Sequence, residues 1–188
     1  MAQWRRQQFD LQHWWAWIGS VETDLYVGHP QEAWGRIEAD WRKLQWSLLT
    51  RVQYVRLESL HHRARAALAL AAAGSTEAQL RNKLLRSAER DSRAMERQGM
   101  PWSNALAALL RAGIECSQHQ ESVNLLESAE RQLLAVDMAL YSASARRTRG
   151  RLIGGEFGRE LSVSADEWMR NQEIRNPERM AGMLAPGF

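Results

Sequence analysis

The side chains best suited to metal binding or nucleophilic attack are few in this chain, which has five histidines and one cysteine in 188 residues. His61 and His62 are adjacent, and neighbouring positions of a helix point about 100° apart, so we expect that their rings do not converge on one ion. Cys116 precedes His119 by three residues, but a catalytic thiol also needs an oxyanion site and an orienting group. The sequence therefore predicts no metal site, no cofactor site and no catalytic residue, and it predicts that Cys116 is a buried thiol.

A glycine-rich stretch at residues 154–158 has the composition of a phosphate-binding loop. Such loops follow a strand and carry a lysine and a hydroxyl residue that contact the nucleotide and its magnesium ion. This stretch reads Gly-Gly-Glu-Phe-Gly and follows a predicted helix. It is therefore predicted to be a turn between two helices.

Four arginines lie close together at positions 146, 147, 149 and 151. Arg147 and Arg151 are four residues apart and share one face of a helix, where two guanidinium groups could clamp a carboxylate or a phosphate on a partner. The alternative is a solvated face on which these arginines pair with Glu156 and Glu160. Both interpretations remain open at the level of sequence.

Tryptophan is unusually frequent, with nine in 188 residues, and Trp14, Trp15 and Trp17 lie within four positions of each other. Residues so close in sequence point in different directions around a helix, so one buried stripe cannot accept all three rings. Exposed tryptophan at this density is typical of contact with another chain. These three tryptophans are therefore predicted to supply a partner-binding surface.

Most of the chain follows the apolar rhythm of amphipathic helices. Apolar residues recur three and four positions apart, for example at Leu11, Trp14, Ile18, Val21 and Leu25, and residues with this spacing line one side of a helix. Runs of β-branched residues are almost absent. The sequence therefore predicts an all-α fold with about eight main helices.

Glycine and proline mark the breaks between these helices. Gly28 and Pro30 separate the first predicted helix, which begins near Gln3, from the second. The chain from Pro30 to Gly74 could form one continuous helix, but a helix of that length is rare in a globular domain, so a tight turn is predicted near residues 46–50. Asp137 is predicted to cap the seventh helix.

The composition is that of a folded protein outside the membrane. Hydrophobic residues make up 45% and charged residues 25% of the chain, and the formal net charge is +3, as in ordinary globular domains. The longest apolar stretch, residues 66–73, is far shorter than the ~20 residues of a membrane-spanning helix. No signal peptide is recognisable, and a single cysteine excludes an internal disulfide. We therefore expect a cytoplasmic protein with no membrane partner.

Helical hairpins that repeat about every 34 to 40 residues are typical of tetratricopeptide-like arrays. The segment Leu25-Tyr26-Val27-Gly28, followed five residues later by Ala33, resembles the turn between the two helices of such a repeat. The resemblance implies a tetratricopeptide-like stack of antiparallel helical hairpins in a right-handed solenoid. We expect one domain over residues 1–184 and a short tail over residues 185–188.

Longer segments resemble a wider family. Residues 28–34, 56–70, 99–102 and 175–187 are similar to the C-terminal helical region of large bacterial Ser/Thr protein kinases that join a kinase domain, an ATPase module and tetratricopeptide-like repeats. The resemblance covers roughly residues 20–188 and implies the regulatory or sensor region of a signalling protein, or a stand-alone relative. Because the chain has no Gly-rich phosphate loop, no His-Arg-Asp loop and no Asp-Phe-Gly motif, any kinase or ATPase activity of that family lies outside it.

The combined prediction is a non-catalytic scaffold that binds a protein or peptide. Upstream domains of the same polypeptide and a second copy of the chain are among the expected partners. The alternative is a stand-alone adaptor that binds nucleic acid through residues 48–99, which hold ten Arg or Lys against five acids. Acidic residues are mixed through this segment, whereas nucleic-acid-binding surfaces concentrate basic residues, so the sequence favours protein binding.

Overall fold

The computed structural model describes residues 9–116 and 119–188, and this part of the chain is helical throughout, with no strand. The all-α prediction is confirmed. The α-helices are α1 (Leu11–Val27), α2 (Pro30–Trp46), α3 (Gln53–Ala72), α4 (Ala78–Glu96), α5 (Pro101–Ile114), α6 (His119–Ala135), α7 (Ala139–Ile153), α8 (Gly155–Asn171) and α9 (Pro177–Leu184), and a 3₁₀ turn spans Leu48–Arg51.

Helix α1 begins at Leu11 because Asp10 caps it. The backbone of Asp10 is extended, and its side chain accepts hydrogen bonds from the backbone N–H groups of Gln12 and His13, at 3.0 and 3.1 Å, as an N-cap residue does. The predicted start near Gln3 is therefore too early, and residues 3–8 of that prediction lie outside the described residues. At the other end Gly28 takes the left-handed conformation with φ of 86°, as predicted.

The predicted break between the second and third helices is confirmed. Ser47 has an extended backbone and ends α2, and α3 begins at Gln53 after the 3₁₀ turn. The prediction for Asp137 is wrong. This residue adopts φ of 59°, so it lies in the left-handed turn after α6. The N-cap position of α7 is occupied by Met138.

Each helix packs on the next helix along the chain, from α1 to α8. The last helix differs, because α9 packs on α1, α3, α7 and α8. Among the described residues the core has three clusters of buried side chains. One comes from α1, α2 and α3, a larger one continues through α3, α4, α5, α6 and α7, and a small one joins α7, α8 and α9. Helix α3 contributes to the two larger clusters and packs on α1, α2, α4, α5 and α9.

The backbones of helices α7 and α8 approach each other closely at two glycines. A Cβ atom on Gly150 would lie against the carbonyl oxygen of Gly158 and the side chain of Ser162, and a Cβ atom on Gly158 would lie against the backbone of Gly150. Only glycine leaves room for two helices at this distance. This pair of positions fixes how α8 lies on α7.

The predicted tail at residues 185–188 is part of the packed structure. Ala185 belongs to the buried core. A Cβ atom on Gly187 would lie only 3.0 Å from the Cα atom of Gly113 on α5, so the backbone at Gly187 packs directly on α5. The C-terminal residues therefore cover α5 and are continuous with the domain predicted for residues 1–184. No helix in the described ranges combines the length and the apolar composition that a membrane span requires.

The pairing of α5 with α6, which the order of the helices implies, can be tested at two buried leucines. Leu109 on α5 and Leu126 on α6 are almost completely buried. Replacing either by Ala should lower the free energy of unfolding by about 2–5 kcal/mol, because the lost apolar contacts leave a cavity. Leu134 on α6 is exposed, so Leu134→Ala is the matched control with an expected change within about 0.5 kcal/mol. Equal chemical denaturation midpoints for all three variants would show that the two leucines are not core residues.

Candidate functional site

Trp14 and Trp17 fill the core beneath α1. Trp14 has no exposed surface, and its Nε1 donates a hydrogen bond of 2.9 Å to Oγ of Ser59 on α3. Nε1 of Trp17 donates to the backbone carbonyl oxygen of Arg36 on α2, at 3.4 Å. Both rings join α1 to its neighbours and satisfy their polar atoms there. Neither ring has a face left for a partner in this fold, so the predicted contact surface loses Trp14 and Trp17.

Trp15 is exposed over about half of its surface, at 53%. Leu11, which lies one helical turn earlier on the same face of α1, is exposed as well. The buried ring of Trp14 contacts the ring of Trp15 on one side, at 4.7 Å between centroids, and the ring of Tyr54 on α3, at 6.1 Å. Trp15 and Tyr54 therefore lie on the surface next to the same core indole.

Trp15 is part of a larger group of exposed apolar side chains, which we name the tryptophan edge. Trp46 at the end of α2 is 89% exposed and Leu48 in the 3₁₀ turn is 70% exposed. Single exposed apolar residues are ordinary, but contiguous groups mark interaction surfaces. The members come from the start of α1, the end of α2, the segment that leads into α3 and the first turn of α3: Leu11, Trp15, Trp46, Leu48, Val52 and Tyr54.

A groove of about 500 Å³ lies in the tryptophan edge. Leu11, Trp46, Leu48 and Val52 line it, together with Phe9, Asp10, Lys43, Ser47 and Leu49. Its walls are mainly apolar, and Asp10 and Lys43 bring one charge of each sign to its lining. A groove of this size and composition can accept a large apolar side chain of a docked segment.

Arg147 and Arg151 do not form the predicted clamp. Nε of Arg147 donates to Oδ1 of Asp166 on α8 at 2.7 Å, and this ion pair is mostly buried. Arg151 is exposed and donates to the backbone carbonyl oxygen of Phe188 at 3.4 Å. The two guanidinium groups thus hold different parts of the fold, and the partner of Arg147 is Asp166 and not Glu156 or Glu160.

The remaining arginines of this group tie α7 to α6. Arg146 and Arg149 each donate to one carboxylate oxygen of Glu130, at 2.7 and 2.8 Å. All three side chains are largely shielded from solvent, where such charge-assisted bonds are strongest. The cluster therefore has a structural role in joining α6, α7 and α8.

Several cations of the basic segment 48–99 are likewise used inside the fold. Arg63 makes a two-pronged ion pair with Asp91, Arg65 is completely buried, and Arg81 donates to the carbonyl oxygen of Ala71 at 3.0 Å. Guanidinium groups held in this way are not available to phosphates. The alternative of a nucleic-acid surface is correspondingly weaker.

A second candidate site lies between α1 and α3, and we name it the histidine cluster. It consists of Glu22 on α1 with Glu58, His61, His62 and Arg65 on α3. Glu58, His61 and His62 each place one metal-ligating atom within 4.8 Å of the others. Both histidines lie three or four residues after Glu58 on α3 and can turn toward its carboxylate. Whether the two rings share one ion stays a question of ligand binding, and the prediction that they do not stays a prediction.

His62 links the two helices through both of its ring nitrogens. Nδ1 lies 2.7 Å from the carbonyl oxygen of Glu58, and Nε2 lies 3.2 Å from Oε1 of Glu22. Since both neighbours are acceptors, both contacts are hydrogen bonds only when each nitrogen carries a proton. The same Glu22 oxygen accepts from Arg65 at 3.1 Å. The hydrogen bond to His62, with added attraction from Arg65, lowers the pKa of Glu22 to about 2.

His61 is completely buried, and neither of its ring nitrogens has a hydrogen-bond partner among the described residues. Its ring contacts the rings of His62 and Tyr141, at 5.8 and 5.7 Å between centroids. Burial, followed by the positive charge of Arg65, lowers the pKa of His61 well below its ordinary value. A buried polar group without a partner costs about 1–3 kcal/mol. His61 is thus a neutral imidazole with an unused lone pair inside the protein.

Among the described residues, Cys116 and the glycine-rich stretch 154–158 do not form a site. Cys116 is exposed, and the prediction of a buried thiol is wrong because α5 ends two residues earlier, at Ile114. The side chain of His119 lies outside the described part of the chain. The stretch 154–158 is a turn followed by the start of α8, as predicted, with Gly154 between the two helices.

Comparisons of the chain with protein-family models, with curated proteins and with solved structures found no match. The resemblance to the helical region of bacterial Ser/Thr kinases, with the regulatory role that it implies, therefore stays a prediction. The tryptophan edge and the histidine cluster have to be interpreted from their own geometry.

Proposed function

We propose that this chain is a protein-interaction module and that the tryptophan edge is its docking surface. The observation that carries the proposal is the grouping of exposed tryptophan, leucine and valine side chains around one groove at the meeting point of α1, α2 and α3. Burying one large apolar side chain stabilises a complex by about 1.5–3 kcal/mol. Tryptophan is also enriched among the residues that contribute most to binding. Docking of this kind requires no catalytic group.

The expected partner is an apolar or amphipathic segment of another protein. Its apolar residues would enter the groove between Leu11 and Trp46, and a polar rim would face Asp10 and Lys43. An upstream domain of the same polypeptide or a second copy of the chain could supply such a segment. The resemblance to bacterial kinases implies that an upstream domain is the partner. The neighbouring coding sequence tests this: a kinase and an ATPase module in the same frame would support a regulatory role in the cytoplasm.

We place the docking surface on a tetratricopeptide-like stack of helical hairpins. The packing of each helix on the next in chain order supports this arrangement, because repeat arrays bury their apolar faces between neighbours. The contacts of α9 with both α1 and α7 depart from an open solenoid. Helix α9 thus joins an early helix of the stack to a late one. The residues of the tryptophan edge stay exposed beside it.

The proposal can be tested by removing apolar surface from the edge. The double variant Trp46→Ser, Leu48→Ser is expected to lose at least about 10-fold in affinity for the partner or for a second copy, because both side chains are exposed and border the groove. Its melting temperature should remain close to that of the parent, since neither side chain is in the core. Sedimentation velocity over a range of concentrations measures self-association, and capture from native cell extract with mass spectrometry identifies other partners.

The matched control is the double variant Phe157→Ser, Val163→Ser on α8, which removes exposed apolar surface far along the chain from the edge. The control should associate like the parent. If the parent neither self-associates nor captures a protein in a manner that depends on Trp46 and Leu48, the docking proposal is wrong. Salt-dependent retention of the parent on DNA would instead support the nucleic-acid alternative.

A further inference from the structure

We propose that the histidine cluster is a binding site for one divalent transition-metal ion of the zinc class, with Glu58, His61 and His62 as its protein ligands. Zinc in proteins is held by imidazole nitrogen and carboxylate oxygen. The three ligand atoms already lie within 4.8 Å of one another. The site is independent of the tryptophan edge and of the docking function proposed for it.

The spacing of the ligands on α3 suits a helix-borne site. Glu58 and His61 form a Glu-x-x-His pattern, in which residues three apart share a helix face, as in carboxylate-bridged metal sites of helical bundles. Oε2 of Glu58 is 3.6 Å from Nδ1 of His62, close to the roughly 3.3 Å that separates two ligands of a tetrahedral zinc ion. The widest pair of ligand atoms would have to close by only about 1.5 Å, which small rotations of the side chains can supply.

The surroundings of the His61 side chain point to a bound ligand. Its imidazole is fully buried and without a hydrogen-bond partner on either nitrogen among the described residues. One of these nitrogens lies within 4.8 Å of the ligating atoms of Glu58 and His62. Buried polar groups in folded proteins almost always have partners. A neutral imidazole with a free lone pair is the form that coordinates a metal ion. A bound ion would therefore satisfy the one histidine that the surrounding protein leaves unsatisfied.

His62 and Glu22 have the arrangement of a metal ligand and its outer partner. Nε2 of His62 points at the Glu22 carboxylate at 3.2 Å, and metal-bound histidines commonly donate their second N–H to a carboxylate in this way. On metal binding, Nδ1 of His62 would release its proton to solvent and give up its hydrogen bond to the Glu58 carbonyl. Two carboxylates against the single charge of Arg65 then leave a net charge of about −1, which attracts a cation.

The cluster is open to solvent on the carboxylate side. The side chain of Glu22 is 38% exposed and that of Glu58 is 19% exposed, whereas both histidines lie behind them. An ion can therefore enter past the two carboxylates and reach the imidazoles. Because Glu22 belongs to α1 and the ligands belong to α3, a bound ion would fasten α1 to α3 next to the core tryptophans.

The test uses the full chain after removal of metal with a chelator. Isothermal titration with Zn²⁺ should show one ion per chain, and Co²⁺ should give ligand-field absorption bands when it occupies the same site. Glu58→Gln and His61→Gln should each weaken Zn²⁺ binding by at least about 100-fold, and Glu22→Gln by about 10- to 100-fold, as for loss of an outer partner. The control His13→Gln, His29→Gln removes two exposed histidines of the chain and should bind Zn²⁺ like the parent.

Far-ultraviolet circular dichroism shows which variants are folded. If His61→Gln does not fold, Glu58→Gln decides the test, because Glu58 lies at the solvent-facing side of the cluster. Absence of one-to-one binding by the parent, or Zn²⁺ affinity that survives in folded Glu58→Gln, would overturn the proposal. So would loss of binding in the His13 and His29 control, which would place the ion on surface histidines.

Discussion

Replacing Trp14 by Ala is expected to lower the free energy of unfolding by about 3–5 kcal/mol, the range for large aromatic residues removed from a core. Trp14 is completely buried, contacts the rings of Trp15 and Tyr54, and donates a hydrogen bond to Ser59. The variant loses this packing, leaves a cavity between α1 and α3, and leaves a buried hydroxyl with one partner fewer. Denaturant unfolding followed by circular dichroism measures the loss.

The neighbouring residue provides the matched control. Trp15→Ala removes the same side chain one position along the same helix, but from a site that is half exposed. The expected change in stability is no more than about 1 kcal/mol. Trp15→Ala should also weaken association through the proposed docking surface while the protein stays folded. Trp14→Ala should instead act mainly on stability, because its ring is in the core. Equal destabilisation by both substitutions would contradict the distinction between a core tryptophan and a surface tryptophan.

The contrast between these two residues shows how far the sequence could be interpreted. Helical periodicity predicted the fold class, the turn at Gly28 and the break before α3, because these depend on local spacing and on residues that end helices. It also indicated that one stripe cannot accept Trp14, Trp15 and Trp17 together. Which ring leaves the core depends on how α2 and α3 pack against α1, and the spacing within α1 carries no information about that packing.

The larger part of the tryptophan edge was not predicted, for a related reason. Leu48 continues the apolar spacing of Ile37, Trp41 and Leu44, but α2 ends at Trp46, so Leu48 lies beyond the helix. Trp46 lies two positions after Leu44 and points to the other side of α2. The prediction that Cys116 is buried failed for the same reason, because Cys116 continues an apolar spacing but lies beyond the end of α5. A stripe predicts burial only as far as the helix extends, and helix ends are the least certain part of a sequence-based prediction.

The histidine cluster was missed because its partners are distant in sequence. Adjacent histidines were expected to diverge, and that expectation considered only the two histidines and not Glu58, which precedes them by three and four residues. Glu22 comes from another helix, and no local pattern connects it with His62 or Arg65. The sequence did contain one local signal of the cluster. Glu58 precedes His61 by three residues and His62 by four, which places a carboxylate and an imidazole on one helix face.

Replacing Asp91 by Ala is expected to lower the free energy of unfolding by about 3–5 kcal/mol, because it leaves the guanidinium of Arg63 without its counter-charge. Asp91 is almost completely buried on α4 and accepts two hydrogen bonds from Arg63 on α3, one of 2.6 Å from Nε. Burial raises the pKa of Asp91, and the bonds from Arg63 offset only part of that effect. Arg63 also stacks on the ring of Trp41, 3.6 Å from its centroid, so it cannot turn freely to solvent.

A second ion pair on α4 provides the comparison. Glu89 and Arg93 are four residues apart and about half exposed, with 2.5 Å between the charged groups. Glu89→Ala should cost no more than about 0.5 kcal/mol, because water screens an exposed pair and solvates the remaining arginine. The double variant Arg63→Met, Asp91→Leu should recover most of the stability lost in Asp91→Ala, since a buried ion pair can be replaced by apolar residues of similar volume. Similar losses for Asp91→Ala and Glu89→Ala in urea unfolding would show that burial does not set the cost. Failure of the double variant to recover stability would show that the charge pair, and not the filled volume, holds α4 on α3.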